Sequence, residues 1–357
     1  MRILLISTHL NAGGISRYIL TLAKGLKKNG HEVWVSCAPH GEWLTRLEEE
    51  GISYITIPIK TKSILSIKIL ISFFILAKFI KKEKIDIIHS NSRVTQFLGF
   101  LLYKFTHVAY VTTFHGFYRK SHARKTLKFE GLRTIAISQN VKTHLSQDLN
   151  IPEEKIRVVY NGVCREEFSL RKKTKTDYGF KENDFVIGIL GRFSEEKGHF
   201  LAIEAFKLLS DKHSNVYLAI SGKGRLKEEL KTFIRLTDIE NRTKFFDMEA
   251  KDFLDIPDIL IVPSRREGFG YVIIEALLKE VPVIAFNGGA ISEIIKNEKN
   301  GLLFNKYEGF CLKQAIEQLM SDRPLRERIV KKAKEDAQIF SMENMALNTE
   351  KVYKEVL

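Results

Sequence analysis

Residues 2–38 read RILLISTHLNAGGISRYILTLAKGLKKNGHEVWVSCA, and their pattern decides the fold class. Ile3–Ser7 is a short β-prone run. Ile15, Ile19, Leu22, Ala23 and Leu26 then fall on one helical face, Asn29-Gly30 supplies a stop, and Glu32–Ala38 is a second β-prone run. Strand, helix and strand in this order form the βαβ unit of a parallel sheet. Working outward, Ile52–Pro58, Asp86–Asn91, Ala109–Phe114, Thr134–Ser138 and Arg157–Tyr160 continue the series. Beyond Asn161-Gly162, the stretch Arg165–Asp184, with Arg171-Lys172-Lys173, is charged and strand-poor and reads as a linker. A second series then runs through Phe185–Gly191, Val216–Ser221, Thr243–Phe246, Ile259–Pro263 and Val283–Phe286, with helical stretches such as Phe200–Leu209 and Leu226–Ile234 between them. The sequence therefore predicts an α/β protein of two Rossmann-like parallel-sheet domains, residues 1–165 and 166–340. A last helical segment, residues 341–357, has Met345, Asn348 and Val352 on or near one face.

A chain of 357 residues is long for one core, and 44% hydrophobic with 28% charged residues is a globular composition. Cys37, Cys164 and Cys311 are scattered, with neither metal nor disulfide spacing, which fits a reducing cytoplasm. Arg2–Ser7, followed by polar residues and glycines, is not a secretory signal. The apolar stretch Ile64–Ile80 is interrupted by Lys68 and Lys78 and is shorter than the roughly 20 residues that a membrane span needs. A buried helix is expected there, interfacial membrane contact being the other reading. The net charge of +14 is unevenly placed: residues 1–165 carry 25 Lys and Arg against 11 Asp and Glu, and the remainder carries 32 of each sign. The first half is expected to face something anionic.

In open parallel sheets ligands bind beyond the carboxyl ends of the strands, so two such domains facing each other would offer a site on each wall of a cleft. Motifs do lie just after the expected strands. Glu267–Glu275 reads EGFGYVIIE. Gly268 and Gly270 let backbone amides approach a phosphate or sugar, and a helix starting near Tyr271 aims its positive end at the same place. Glu267 and Glu275 can then serve two ends of one ligand, which suits a sugar nucleotide; the plainer reading pairs Glu275 with Lys279 on a solvated helix face. In Gly191-Arg192-Phe193-Ser194-Glu195-Glu196-Lys197-Gly198, the Arg192 fork and the Lys197 charge suit a diphosphate without a divalent metal, although Glu195 and Glu196 could pair with them instead. Ser221-Gly222-Lys223-Gly224, and Asn287-Gly288-Gly289-Ala290 before Glu293, also follow strands, where ordinary turns explain them equally well. In the first domain Asn11-Ala12-Gly13-Gly14-Ile15 lacks the full dinucleotide fingerprint, yet two glycines at a helix start can hold a phosphate or admit an acceptor. His115, after Ala109–Phe114, is placed to meet a hydroxyl or a leaving oxygen; a structural role is the commoner one for such a histidine.

With Tyr160-Asn161-Gly162-Val163, Pro263-Ser264 and Asn300-Gly301-Leu302-Leu303 added, these motifs run in order over essentially the whole chain. In that order and spacing the chain resembles the GT-B retaining glycosyltransferases of family 4, which include bacterial mannosyl-, glucosyl- and lipopolysaccharide-core transferases. The resemblance implies two domains facing across a cleft, with the C-terminal helix crossing back onto the first. It implies that Arg192 and Lys197 hold the donor diphosphate, Glu275 the ribose hydroxyls and Glu267 the sugar hydroxyls. Backbone at Phe269, Gly270 and Tyr271 and the turn at Gly222 would complete the donor site. Gly14 would lie near the donor phosphate or the acceptor, Gly13 on the acceptor side, and His115 against the transferred sugar. The segment Phe245–Ala250 is shorter than in relatives, which leaves the base open between UDP- and GDP-sugars, and Phe304-Asn305-Lys306 replaces a Pro-rich follow-on.

The implied reaction moves a hexose, with retention, from a nucleotide-diphosphate sugar to an anionic glycan or glycolipid in lipopolysaccharide or other cell-surface polysaccharide synthesis. Neither a cofactor nor a metal is expected. The expected location is the cytoplasm, with peripheral contact at the inner face of the plasma membrane. Arg119, Lys120, His122, Arg124, Lys125 and Lys128 form a basic loop that is either simply solvated or binds acceptor phosphate or an anionic membrane. A sequence pI near 9.4 also permits nucleic-acid binding, but no recognition module is present and none is expected. A GT-B nucleotide-sugar epimerase and a non-catalytic sugar-nucleotide-binding protein are the alternatives.

Overall fold

The computed structural model describes residues 1–11, 13–61, 63–118, 129–168 and 173–357. They form two compact units, Met1–Val163 with Phe340–Leu357, and Cys164–Ile339. In the first, β1 (Arg2–Ile6), β2 (Glu32–Cys37), β3 (Ser53–Thr56), β4 (Ile87–Ser90), β5 (Ala109–Phe114), β6 (Arg133–Ala136) and β7 (Ile156–Val158) make one sheet in the order β3-β2-β1-β4-β5-β6-β7. In the second, β8 (Phe185–Leu190), β9 (Val216–Ser221), β10 (Thr243–Phe246), β11 (Ile259–Val262), β12 (Val283–Phe286) and β13 (Leu302–Phe304) run in the order β10-β9-β8-β11-β12-β13. Neighbouring strands in both sheets are parallel.

The inner strands form because their apolar runs are buried on both faces, as a parallel sheet covered by helices requires, while the edge strands β3 and β10 have no fully buried residue. Ile3, Leu4, Leu5 and Ile6 of β1 are fully buried, as are Leu218 and Ile220 of β9. Only β13 lay outside the expected strands: three residues at a sheet edge are too few to show a period. In each sheet the chain winds outward from one strand and then returns to its other side, which opens a crevice at the carboxyl ends of β1 and β4 and of β8 and β11.

Tyr18, Ile19, Leu22, Ala23 and Leu26 line the buried face of the helix Gly14–Lys28. Against it lies the last helix, Met342–Lys354, so closely that a Cβ added at Gly25 would stand 2.7 Å from the Ala346 Cβ. Met345 and Val352 are buried there as expected, but Asn348 is exposed. The contact face runs through Met342, Met345, Ala346, Thr349, Val352 and Tyr353, and helical spacing turns residue 348 away from it.

The helix Ile67–Lys82 corrects a second expectation. Ile69, Ser72, Leu76 and Ile80 are buried, but Leu70, Ile71 and Phe74 face solvent, so the helix is half-buried rather than enclosed. Among the described residues no helix is long and apolar enough to cross a membrane.

Candidate active site

The crevice between β8 and β11 gathers the residues of the second unit. The loop after β8 is fixed by the loop after β9: Gly191 N–H donates to Ser221 O at 3.0 Å and Phe193 N–H to Lys223 O at 2.9 Å. The glycines make this approach possible. A Cβ at Gly222 would stand 2.9 Å from the Gly191 carbonyl carbon, and one at Gly224 would stand 2.8 Å from the Phe193 nitrogen. Gly222 therefore has a packing reason to be glycine, independent of any ligand. The loop presents Arg192, whose side chain is 70% exposed and pairs with Glu196 at 2.9 Å. Of the pairings the plainer reading expected, only Arg192–Glu196 forms; Glu195 turns instead to Arg225 at 2.7 Å.

Lys197, at the end of the same loop, reaches across to the loop after β11, where its ammonium donates to Glu267 Oε1. The Glu267 backbone is held in turn by the loop after β12: Ala290 N–H donates to Glu267 O at 2.9 Å, and Gly289 forms a bridge with Glu267. Gly289 has φ +63, and a Cβ there would stand 2.8 Å from the Glu267 nitrogen. Gly270, with φ +100, turns the chain into the helix Tyr271–Leu278, whose N-terminus follows Glu267 directly. Phe269 is buried, and its ring meets that of Tyr271 edge-on at 5.4 Å.

Glu275 lies on this helix with 1% of its surface exposed, which rules out the solvated Glu275–Lys279 pair. Lys279 is itself buried and donates to Asp255 Oδ1 at 2.7 Å. Four separated motifs thus converge on one sheet end: Arg192 and Lys197, Gly222, Glu267 through Glu275, and Gly289. Sequence reading passed over His199, which is buried behind this loop and meets the Phe193 ring edge-on at 5.2 Å. Burial, and then the charge of Lys197, pushes its pKa down to about 4.

In the first unit Gly13 and Gly14, both exposed, begin the helix that follows β1, and no acidic residue occupies its first turn. His115 follows β5, with its Nε2 3.2 Å from Asn91 Oδ1 beyond β4 and its ring 4.5 Å from that of Tyr18. Burial pushes the His115 pKa down to about 3, so the ring is neutral near pH 7. Behind it runs a buried chain that no motif signalled: Tyr353 hydroxyl to His89 Nδ1 at 2.6 Å, His89 Nε2 to Thr113 Oγ1 at 2.7 Å, and Thr113 Oγ1 to the Tyr18 hydroxyl at 3.0 Å. The sequence reading named neither Tyr18 nor Tyr353, and only pairing across elements shows them to be polar partners. Arg119, Lys120 and Arg124, with His122, Lys125 and Lys128, lie outside the described residues, as do Arg171 and Lys172 of the expected linker. No group of three or more His, Cys, Asp or Glu side chains that could hold a metal ion occurs among the described residues.

Residues 171–336 match the model of glycosyl transferases group 1, and residues 12–167 match that of glycosyltransferase family 4. An uncharacterised glycosyltransferase of Methanocaldococcus jannaschii is 30% identical over 78% of this chain and 77% of its own. The Escherichia coli UDP-Gal:alpha-D-GlcNAc-diphosphoundecaprenol alpha-1,3-galactosyltransferase is 27% identical over 87% of this chain and 86% of its own. The structure of Anabaena HepE in complex with UDP and glucose superposes with a TM-score of 0.88 at 22% identity, over 99% of this chain and all of that one. The two family models meet at the junction between the units and take in every motif of both sheet ends, and the chain belongs to the group 1, family 4 glycosyltransferases of GT-B fold.

Proposed function

We propose that the chain is a retaining hexosyltransferase that takes a hexose from a nucleoside-diphosphate sugar, a UDP-sugar in the first instance, and passes it to a lipid-linked or otherwise anionic glycan. The observation that carries this reading is the meeting of Lys197 with Glu267 across the crevice between β8 and β11, with Arg192 on the same loop. A cation and a carboxylate held together at a strand-end crevice suit a ligand with an anionic diphosphate at one end and sugar hydroxyls at the other. Arg192 is free to turn from Glu196 to a phosphate, because an exposed i,i+4 pair is worth only about 0.3–0.5 kcal/mol.

As the bond between the anomeric carbon and the diphosphate oxygen breaks, negative charge grows on that oxygen. Arg192 and Lys197 stabilise it, and groups of this kind are worth about 3–4 kcal/mol each in other enzymes. Glu267 accepts hydrogen bonds from the sugar hydroxyls and Glu275 from those of the ribose. The acceptor hydroxyl attacks on the face that the diphosphate leaves, and a departing phosphate oxygen takes its proton, so no carboxylate nucleophile and no divalent metal are needed. The neutral His115 exchanges a hydrogen bond with the transferred sugar, oriented through Asn91.

The UDP-galactose and the diphosphoundecaprenol-linked acceptor in the name of the E. coli relative, and the UDP and glucose of the Anabaena structure, support this choice of substrates. The basic excess of residues 1–165 suits an anionic acceptor met at the inner face of the plasma membrane, in the synthesis of a cell-surface polysaccharide.

The test is a panel of UDP-, GDP- and ADP-sugars incubated with bacterial lipid extract, with hexose incorporation into lipid followed by mass spectrometry. Incorporation from one UDP-hexose is expected, at a rate that EDTA leaves unchanged. No incorporation from any donor, with no UDP-induced rise in Tm, sinks the reading. Loss of rate in EDTA that magnesium restores overturns the metal-free mechanism.

A further inference from the structure

We propose that the solvent-facing side of the helix Ile67–Lys82 docks on an anionic lipid bilayer, and that the groove beside it receives a lipid acyl chain. Large apolar side chains are concentrated here: Leu65 is 89% exposed, Ile67 65%, Leu70 50%, Phe74 63% and Phe105 67%. Single exposed hydrophobic residues need no explanation, but a contiguous set on one surface marks an interaction site. Between this helix and Arg93–Thr106 runs a groove of about 630 Å³, floored by Ile69, Phe73, Phe97 and Leu101 and rimmed by Lys104. Phe73 and Phe105 meet edge-on across it at 5.4 Å.

Charge identifies the occupant. Residues 60–106 carry nine Lys and Arg against two acidic residues, and Lys60, Lys68, Lys78, Lys81 and Lys104 are exposed around the apolar face. A second copy of the chain pressed onto this face would bring a surface of the same sign against it, at a cost. Anionic headgroups complement the lysines, while the long lysine stems lie along the apolar surface. The helix is too short and too interrupted by charge to cross a bilayer; the protein covers one of its apolar sides, through Ile69, Leu76 and Ile80, and leaves the other, through Leu70, Ile71 and Phe74, for the membrane interface. The docking rests on the first unit alone. Its purpose, meeting a lipid-linked acceptor, rests on the proposed function.

The test floats the full chain with vesicles of phosphatidylcholine alone and of phosphatidylcholine mixed with phosphatidylglycerol. Binding to the anionic vesicles is expected, weakened by salt. Leu70→Ser with Phe74→Ser is expected to lower partitioning about 100-fold, because burying each side chain contributes about tenfold or more. Lys68→Glu with Lys104→Glu is expected to weaken binding to the anionic vesicles only. All four positions are exposed, so Tm and the binding of UDP in solution stay at wild-type values. Wild type that floats with neither vesicle, or a Leu70→Ser/Phe74→Ser variant that floats as well as wild type, overturns the proposal. So does a wild-type dimer that this variant converts to monomer, since the face then belongs to a second copy. Hexose transfer to a detergent-solubilised acceptor reports on the catalytic reading separately, so either idea can fail while the other stands.

Discussion

Replacing Gly222 by Ala tests whether the loops after β8 and β9 are held by each other or by a ligand. The new Cβ would stand 2.9 Å from the Gly191 carbonyl carbon and 3.1 Å from Phe193 Cε1, with the Gly191 oxygen nearer still. Carbon atoms rest at about 3.5–4.0 Å, so the loops after β8 and β9 must part by about 1 Å. That movement strains the two hydrogen bonds joining them, Gly191 to Ser221 and Phe193 to Lys223, each worth about 1 kcal/mol. With an overpacking cost of about 1–3 kcal/mol, the expected destabilisation is about 2–4 kcal/mol. Arg192 lies between the two bonded residues and moves with them, and a misplacement of about 1 Å at a reacting group costs on the order of 100-fold in rate. Urea unfolding, calorimetry with UDP and the rate of hexose transfer are the three readouts. Gly191→Ala, where an added Cβ meets nothing nearer than 3.8 Å, is the stability control. Loss of UDP binding by Gly222→Ala at wild-type stability would refute the packing argument and show that the glycine serves close approach of the ligand.

Glu275→Gln is expected to weaken UDP binding by about 10- to 100-fold, the loss of a hydrogen bond to a charged group; unchanged affinity by calorimetry would place the ribose elsewhere. Lys279→Met leaves Asp255 buried without its ammonium and is expected to cost about 3–5 kcal/mol in urea unfolding, partly recovered by adding Asp255→Asn. His89 and His115 have folded pKa values pushed down by burial to about 3, against an ordinary value of 6.5. The unfolded chain therefore binds more protons between pH 6.5 and 3, and the stability these neutral rings contribute is complete above 6.5 and is lost as pH falls through that window. For His89 the loss is about 1.4 kcal/mol per pH unit, on the order of 2 kcal/mol between pH 6.5 and 5. Urea unfolding at those two pH values checks it, and a His89→Gln variant should show the shallower dependence.

Much of this protein could be read from its sequence, because a parallel sheet buried on both faces writes each strand as a compact apolar run. Ala109–Phe114, Val216–Ser221, Thr243–Phe246 and Val283–Phe286 were read with their observed boundaries. The residues that gather at the crevice between β8 and β11 could be found for a related reason: each follows a strand, and strand ends are where this class of sheet exposes backbone and charge. The helix Ile67–Lys82 was misjudged because its apolar residues fall on both faces, so periodicity could not tell the covered side from the bare one.

By itself the sequence determined the two parallel sheets, the glycine turns and the glycosyltransferase motif order, all of which depend on residues near one another along the chain. Tertiary structure alone decided the pairings. Lys197 meets Glu267 seventy positions away, Lys279 turns to Asp255 rather than Glu275, and His89 joins a tyrosine of the last helix. The physical reason is that a buried charge or hydroxyl must find a partner wherever the packed strands and helices bring one, and strand order, not sequence distance, sets what lies within reach.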